Sequence, residues 1–340
     1  MFNLPNKLKD FTPYQPLTGE YKIRLDVNES FIKVDPDIVK KAIEEINLNR
    51  YPDPYATEAV RAFSELFNVN EKFVTAGNGS DELIMIIASA LLEKGDKVLC
   101  FTPDFPMYKF YSNLYELQVT EMSADIDKAI AYINQNNIKC IMFSNPCNPT
   151  SLGIEKREIL RLIENISALV ILDEAYIDFW NEDESMLKTA HNYNNLIVLR
   201  TCSKAVALAG IRLGFAIANE RLTTALKAAK SPYNVNALSQ AIGTAVLSDK
   251  DNYINSITLI KKSIFDLRNS LVELDIFDEI YDTKTNFVYC KTDKAREIYE
   301  YLLTKGIAVR CFGNALRICA GTDLENIELL KEVQQWKTQK

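Results

Sequence analysis

The chain has 340 residues, 47% of them hydrophobic and 25% charged, with a net charge of −7. That is enough apolar mass for about two cores, and the acidic balance leaves no broad basic footprint for nucleic acid or an anionic membrane. No apolar run approaches the roughly 20 residues that span a bilayer, and "MFNLPNKLKDFTPYQPL" lacks a charged-then-apolar signal pattern, so a cytoplasmic setting is expected.

Taken in chain order, residues 1–50 carry prolines at 5, 13, 16 and 36 and little sustained periodicity outside "PDIVKKAIEEI", which predicts a surface arm joining a smaller domain. The segment "GNGSDELIMIIASALLEKGD" then predicts a helix capped by Ser80, opened by Asp81 and Glu82 and closed by Gly95. Short apolar runs follow: "KVLCF" from Lys97, "CIMFSNP" from Cys140, "LVILDEAY" from Leu169, "LIVLRTCSK" from Leu196 and "RLGFAIA" from Arg212. Helical segments separate them, the pattern of a mostly parallel sheet covered on both faces. Beyond this the pattern changes to long amphipathic helices, "TNFVYCK", a helix "AREIYEYLLTKG", and strands "IAVRCF" and "ALRICAG". The expected class is α/β, a mostly parallel central sheet with helices on both faces plus a smaller α+β domain. Residues 51–235 form the large unit and 236–340 the small one.

Seven cysteines, Cys100, Cys140, Cys147, Cys202, Cys290, Cys311 and Cys319, form no C-x-x-C pair and predict reduced, largely buried thiols. The one histidine, His191 in "LKTAHNYNN", reads as a surface residue at a helix end or loop, which disfavours zinc sites and histidine-dependent hydrolases. No metal is expected.

In open parallel sheets, ligands bind beyond the carboxyl ends of the strands, and those ends here carry "TPDFPMY", "NPCNPT", "DEAYIDF" and "RTCSK". Asp173 directly follows an apolar strand, where a buried carboxylate is costly unless a cation or strong donor meets it; a helix cap or salt bridge is the other reading. Lys204 stands at or past the end of the next strand, and a partly desolvated lysine becomes nucleophilic and can form a Schiff base. A lone loop lysine reads as a solvated charge, but this one has companions suited to a pyridine ring. Asp173 can face the ring nitrogen, Tyr176 and Asn148 the ring oxygen, and Phe105 the ring face. The helix opening at Gly79 and Ser80, with Thr201, Ser203 and Arg212, can cradle a phosphate.

Together with "PYQPL", "LDVNES", "RYPDPY", "GNGSDEL" and "ALRICAGT", these segments resemble, over nearly the whole chain, the fold type I aminotransferases dependent on pyridoxal 5'-phosphate, most closely the histidinol-phosphate branch. The resemblance implies that Lys204 carries the cofactor and shuttles the proton. It places Asp173 at the ring nitrogen, Tyr176 and Asn148 at the ring oxygen, Phe105 on the ring, and Gly79, Ser80, Asp81, Thr201, Ser203 and Arg212 around the phosphate. Tyr51, in "RYPDPY", matches a tyrosine that reaches the cofactor phosphate of a neighbouring subunit, which implies a homodimer. Arg317 matches the arginine gripping the substrate's anionic group, with Arg310 second, and Tyr14 and Asn28 match positions lining the substrate side.

The implied reaction is ping-pong: L-glutamate leaves as 2-oxoglutarate, and imidazole acetol phosphate then takes the amino group to give L-histidinol phosphate, so the expected partners are amino acids, 2-oxo acids and phosphorylated small molecules. Cys147 stands where asparagine is common and Ser151 where glycine is usual, and the loop from Arg310 to Arg317 is short. An aromatic or broad-range aminotransferase, a threonine-phosphate decarboxylase-like lyase and a cofactor-binding sensor stay open as alternatives.

Overall fold

Runs of five or six apolar residues with alternating outward and inward side chains, set between amphipathic segments, build strands that bury both faces. The computed structural model describes residues 2–8, 11–13, 15–44 and 46–339. Its strands are β1 (Ile23–Arg24), β2 (Val74–Gly77), β3 (Lys97–Phe101), β4 (Gln118–Met122), β5 (Cys140–Ser144), β6 (Leu169–Asp173), β7 (Leu196–Thr201), β8 (Gly214–Ala218), β9 (Glu279–Ile280), β10 (Phe287–Lys291), β11 (Ile307–Ala308), β12 (Arg310–Phe312) and β13 (Ala315–Cys319). Its helices are α1 (Pro36–Ile43), α2 (Thr57–Phe67), α3 (Gly79–Ala90), α4 (Met107–Leu114), α5 (Ile126–Asn136), α6 (Lys156–Glu164), α7 (Glu220–Ala229), α8 (Ala237–Leu247), α9 (Lys250–Glu273), α10 (Ala295–Thr304) and α11 (Asp323–Thr338).

The large sheet has the order β2-β8-β7-β6-β5-β3-β4. From β7 to β4 all neighbours are parallel, and β8 alone runs against both its partners. Alternation along each strand divides the core. Leu99, Ile141, Phe143, Val170 and Leu172 face α2, α5 and α6, whereas Val98, Cys100, Met142 and Ile171 face α3, α4 and α7. The fold is therefore α/β with a mostly parallel central sheet, as expected.

A second, antiparallel sheet has the order β12-β13-β10-β9, and its apolar face packs on α9, α10 and α11 through Ile264, Leu267, Ile298, Leu302, Leu329 and Val333. Ile23 and Leu25 of the N-terminal segment join this core, because β1 pairs in parallel with β11. The run "IAVRCF" is not one strand: it breaks at Val309, its first part serving β1 and its second part β13.

Three local expectations are corrected. Asn78, not Ser80, occupies the N-cap of α3, since Gly79 turns the backbone at φ 84° and Glu82 Oε2 accepts from the Asn78 N–H at 2.6 Å. Gly95 does not close α3, which ends at Ala90 with Leu91 as its C-cap; the Gly95 N–H donates to the Glu116 carbonyl in the turn before β3. His191 is half-buried and stacks on Phe73 at 4.6 Å rather than lying free on the surface. All seven cysteines are free, and five of them, all but Cys147 and Cys311, are buried. Among the described residues no helix is long and apolar enough to cross a membrane.

Candidate active site

The carboxyl ends of β5, β6 and β7 lie side by side, in a register that sets Ser144 opposite Asp173 and Asp173 opposite Leu199. Asp173, the last residue of β6, is buried; Tyr108 donates its hydroxyl to Oδ2 at 2.9 Å and the Ala175 N–H donates to Oδ1 at 3.1 Å. Desolvation pushes its pKa up to about 6, against the stabilising effect of those two donors and of nearby Lys204. A carboxylate so placed, with neutral donors only, is suited to a cationic N–H.

Lys204 follows β7 in a turn and is half-buried. Its Nζ donates to the carbonyls of Asn28 at 2.9 Å and Val27 at 3.3 Å, and lies 5.7 Å from the centre of the Tyr176 ring. Desolvation pushes its pKa down to about 8; Cys319 opposes that shift, whereas Arg317 and Arg212 add to it. Part of the amine is then neutral near physiological pH and able to act as a nucleophile or base.

Asn28, held in the left-handed region at φ 56°, ties several of these groups together. Its N–H donates to Cys319 Sγ and its Oδ1 accepts from the same thiol, both at 3.0 Å, which turns Nδ2 towards the Tyr176 hydroxyl at 2.9 Å. Tyr176 thereby accepts from Asn28 and keeps its own proton free to donate.

Arg317 on β13 donates through Nη1 to Asn148 Oδ1 at 2.5 Å and through Nη2 to the Asp26 carbonyl at 2.7 Å, while its buried Nε has no partner. Arg310 stands directly opposite it across the β12–β13 ladder. Among the described residues the Arg310 side chain makes no hydrogen bond or ion pair. Like charges facing each other in a ladder repel, and an orphaned buried donor is costly, so the pair is poised for an anion.

At the other end, the start of α3 meets Arg212. Gly79 holds φ at 84°, where a side chain is strained, and a Cβ on Gly214 would lie 2.4 Å from the Ser80 nitrogen, so both positions favour glycine and leave a backbone-lined cradle. Arg212 is exposed and donates to Ser203 Oγ at 3.3 Å; Thr201 Oγ1 donates to that same hydroxyl at 3.0 Å and accepts from the Ser203 N–H at 3.1 Å. Asp81 Oδ2 accepts from the Tyr111 hydroxyl at 2.8 Å, and its buried Oδ1 has no partner. The donor set suits a phosphate beside a helix N-terminus.

Lys204, Asp173, Tyr176, Asn148, Asn28 and Arg317 are thus joined through direct contacts or shared neighbours, and Phe105 stands edge-on to Tyr108 at 5.6 Å. Tyr51 is apart from them, 81% exposed and stacked on Tyr233 at 4.5 Å. Tyr14 lies outside the described residues.

Three contributors were not singled out from sequence. Tyr108 was visible only as one aromatic in "PDFPMY". Asp104 accepts from the Ser144 N–H at 2.9 Å and from its hydroxyl, while Ser144 Oγ accepts from the Asn148 N–H at 3.1 Å; burial pushes the Asp104 pKa up to about 7. Arg200 is buried against Asp178 and Glu174 with Phe67 beneath it, an ion cluster tied to α9 by Tyr253. A charge alternating into an apolar strand was the available signal for Arg200.

Residues 20–333 match the family model for class I and II aminotransferases. The chain is 41% identical over 339 residues to the histidinol-phosphate aminotransferase of Clostridium novyi, covering 95% of this chain and 94% of that one. Among solved structures, histidinol-phosphate aminotransferase from Sinorhizobium meliloti in complex with pyridoxal-5'-phosphate superposes with a TM-score of 0.87 at 21% identity, covering 93% of this chain and 91% of that one. L-threonine-O-3-phosphate decarboxylase from Porphyromonas gingivalis gives 0.81 at 22% identity, covering 93% and 99%.

Proposed function

This chain belongs to the class I and II aminotransferases, and from that premise we propose that it uses pyridoxal 5'-phosphate to move an amino group from L-glutamate to imidazole acetol phosphate, giving L-histidinol phosphate. The observation that carries the substrate reading is the pair Arg310 and Arg317, opposed on adjacent strands with an unmatched buried Nε. Guanidinium forks accept carboxylate and phosphate alike, so one pair serves glutamate in one half-reaction and a phosphorylated acceptor in the other.

The cofactor, when bound, supplies an electron sink for the pair released as a proton leaves the substrate's α-carbon. Lys204 holds it covalently and moves that proton; a pKa lowered to about 8 suits an amine that must both take and return a proton. Asp173 keeps the ring nitrogen protonated, Tyr176 and Asn148 donate towards the ring oxygen, and Phe105 covers a ring face. Gly79, Ser80, Asp81, Thr201, Ser203 and Arg212 hold the phosphate. Asn28 and Tyr14 line the substrate side with the two arginines. In this reading Asn148 holds Arg317 through Oδ1 and offers Nδ2 to the cofactor at the same time.

The working unit is a homodimer in which Tyr51, exposed in the single chain, reaches a partner's phosphate site; a monomer in sedimentation of the loaded protein would remove that part. The division into 1–50, 51–235 and 236–340 is supported by the separate core of the second sheet, and a cytoplasmic setting by seven unpaired thiols; recovery of the protein from a secreted fraction would count against that setting.

The deciding measurement compares kcat/KM for imidazole acetol phosphate and phenylpyruvate with glutamate as donor. A clear preference for phenylpyruvate overturns the assignment in favour of an aromatic aminotransferase. Carbon dioxide release from threonine phosphate would make the protein a lyase instead.

A further inference from the structure

Ser151 sits at φ 66°, a conformation that L side chains seldom adopt and glycine adopts freely, yet its side chain is fully buried. Its hydroxyl explains the choice. Oγ accepts from the Lys284 N–H at 2.8 Å and bonds Thr283 Oγ1 at 2.8 Å and Thr285 Oγ1 at 2.9 Å. Both threonine hydroxyls also lie within reach of the Phe287 carbonyl, so each of the three hydroxyl protons has an acceptor within the cluster. These partners belong to the segment that opens β10, in the second sheet, whereas Ser151 belongs to the turn after β5, in the first.

That turn is closed on itself, with the Ser151 N–H donating to the Cys147 carbonyl and the Cys147 N–H to the Leu152 carbonyl, both at 2.8 Å. It carries Asn148, which receives Arg317 Nη1 from β13, the direct neighbour of β10. The turn is therefore tied to the second sheet at two points. The Asn148–Arg317 tie involves a guanidinium that a ligand also claims, whereas the Ser151 tie involves no group that a ligand could claim.

We propose that Ser151 is a positioning residue: with Thr283 and Thr285 it latches the Asn148 turn to the second sheet, keeping Arg317 at a fixed reach from Lys204. The reading of Arg317 as the arginine that grips the substrate anion underlies the functional consequence, not the latch itself. An anion held equally in ground and transition states affects saturation more than turnover.

The test uses the full-length, cofactor-loaded protein and the variants Ser151→Gly, which relieves the backbone while removing the hydroxyl, Thr285→Val, and the two combined. Two quantities are read: amide exchange at Lys284, and the glutamate half-reaction followed by cofactor absorbance. Exchange at Lys284 is expected to quicken by about tenfold or more in Ser151→Gly, since its N–H loses its acceptor. The half-saturating glutamate concentration is expected to rise by about tenfold while the maximal rate changes less than about threefold. The double variant is expected to be no worse than the worse single one, as for residues acting as a unit. Unchanged exchange at Lys284 overturns the latch. Faster exchange with an unchanged half-saturating concentration, or a fall confined to the maximal rate, overturns its positioning role. If the wild-type protein does not react with glutamate, the transaminase reading fails, and Lys284 exchange alone then decides the latch.

Discussion

The Tyr108 hydroxyl donates to Asp173 Oδ2 at 2.9 Å, making one of two neutral bonds to a carboxylate buried at the end of β6. Burial lifts Asp173 from 3.8 to about 6, a differential cost on the order of 3 kcal/mol to the ionised apoprotein. Between about pH 4 and pH 6 the folded chain binds more protons than the unfolded one, so this contribution to stability falls as pH rises through that window. Asp173→Asn is expected to raise the melting temperature of the apoprotein at pH 8, to show no such gain near pH 4, and to weaken cofactor binding at least tenfold by roughly the value of a lost charged hydrogen bond. Melting curves at the two pH values and a cofactor titration check this; a less stable apo variant at pH 8 would contradict it.

Lys204 provides the opposite sign. Its folded pKa is lowered to about 8, so stability contributed by this group rises with pH from about 8 up to the ordinary lysine value. Only the neutral amine attacks an aldehyde, and the rate at which apoprotein captures pyridoxal 5'-phosphate is expected to rise with pH and level off above about 8. Borohydride treatment of the loaded protein should leave the reduced coenzyme on Lys204, and Lys204→Ala should abolish transamination while retaining the circular dichroism of the fold. A label on another peptide, or turnover by the variant, refutes the assignment.

The opposed arginines give a prediction in which stability and affinity part ways. Arg310→Gln relieves a cross-strand repulsion worth roughly 0.2–1 kcal/mol, so in anion-free buffer the variant should melt no lower than wild type. Its KM for both the amino acid and the phosphorylated acceptor should rise by about tenfold or more, with kcat less affected. A KM unchanged for both substrates would remove Arg310 from the site.

Cys319 holds Asn28 by two contacts at 3.0 Å, and Asn28 in turn fixes the direction of the Tyr176 hydroxyl. Cys319→Ser preserves a donor and an acceptor and should retain most activity. Cys319→Val strands a buried amide and should cost about 1–3 kcal/mol of stability, with a shift in the pH titration of the bound cofactor's absorbance. Equal behaviour of the two variants would show that only volume matters at this position.

The strands bearing the site were legible because "CIMFS", "LVILD" and "LIVLRT" are continuous apolar runs whose ends carry polar residues, and a buried sheet allows few other readings of such runs. Local pattern carries less at helix boundaries. Ser80 and Asn78 are both acceptable caps by composition, and the left-handed turn at Gly79 decided between them. Register was hidden as well: nothing in "IAVRCF" announces that Val309 separates pairing with β1 from pairing with β13, or that Arg310 meets Arg317. Tyr108, Asp104 and Ser151 act through partners many residues away, and their roles depend on tertiary packing. Ser151 did leave a trace, as a serine where the turn favours glycine.

The carbonyls of Val27 and Asn28 roof the Lys204 amine, in a segment pinned by Arg317 through the Asp26 carbonyl and by Cys319 through the Asn28 side chain, about 290 positions further along the chain. Contacts this distant in sequence close late in folding, since the loop between them must be paid for in entropy first. During synthesis, a chain that has not yet reached β13 already owns the Lys204 amine and the Asp173 carboxylate but lacks the two side chains that clamp the segment above them. The order of translation thus withholds a finished reaction chamber until the final strand has left the ribosome.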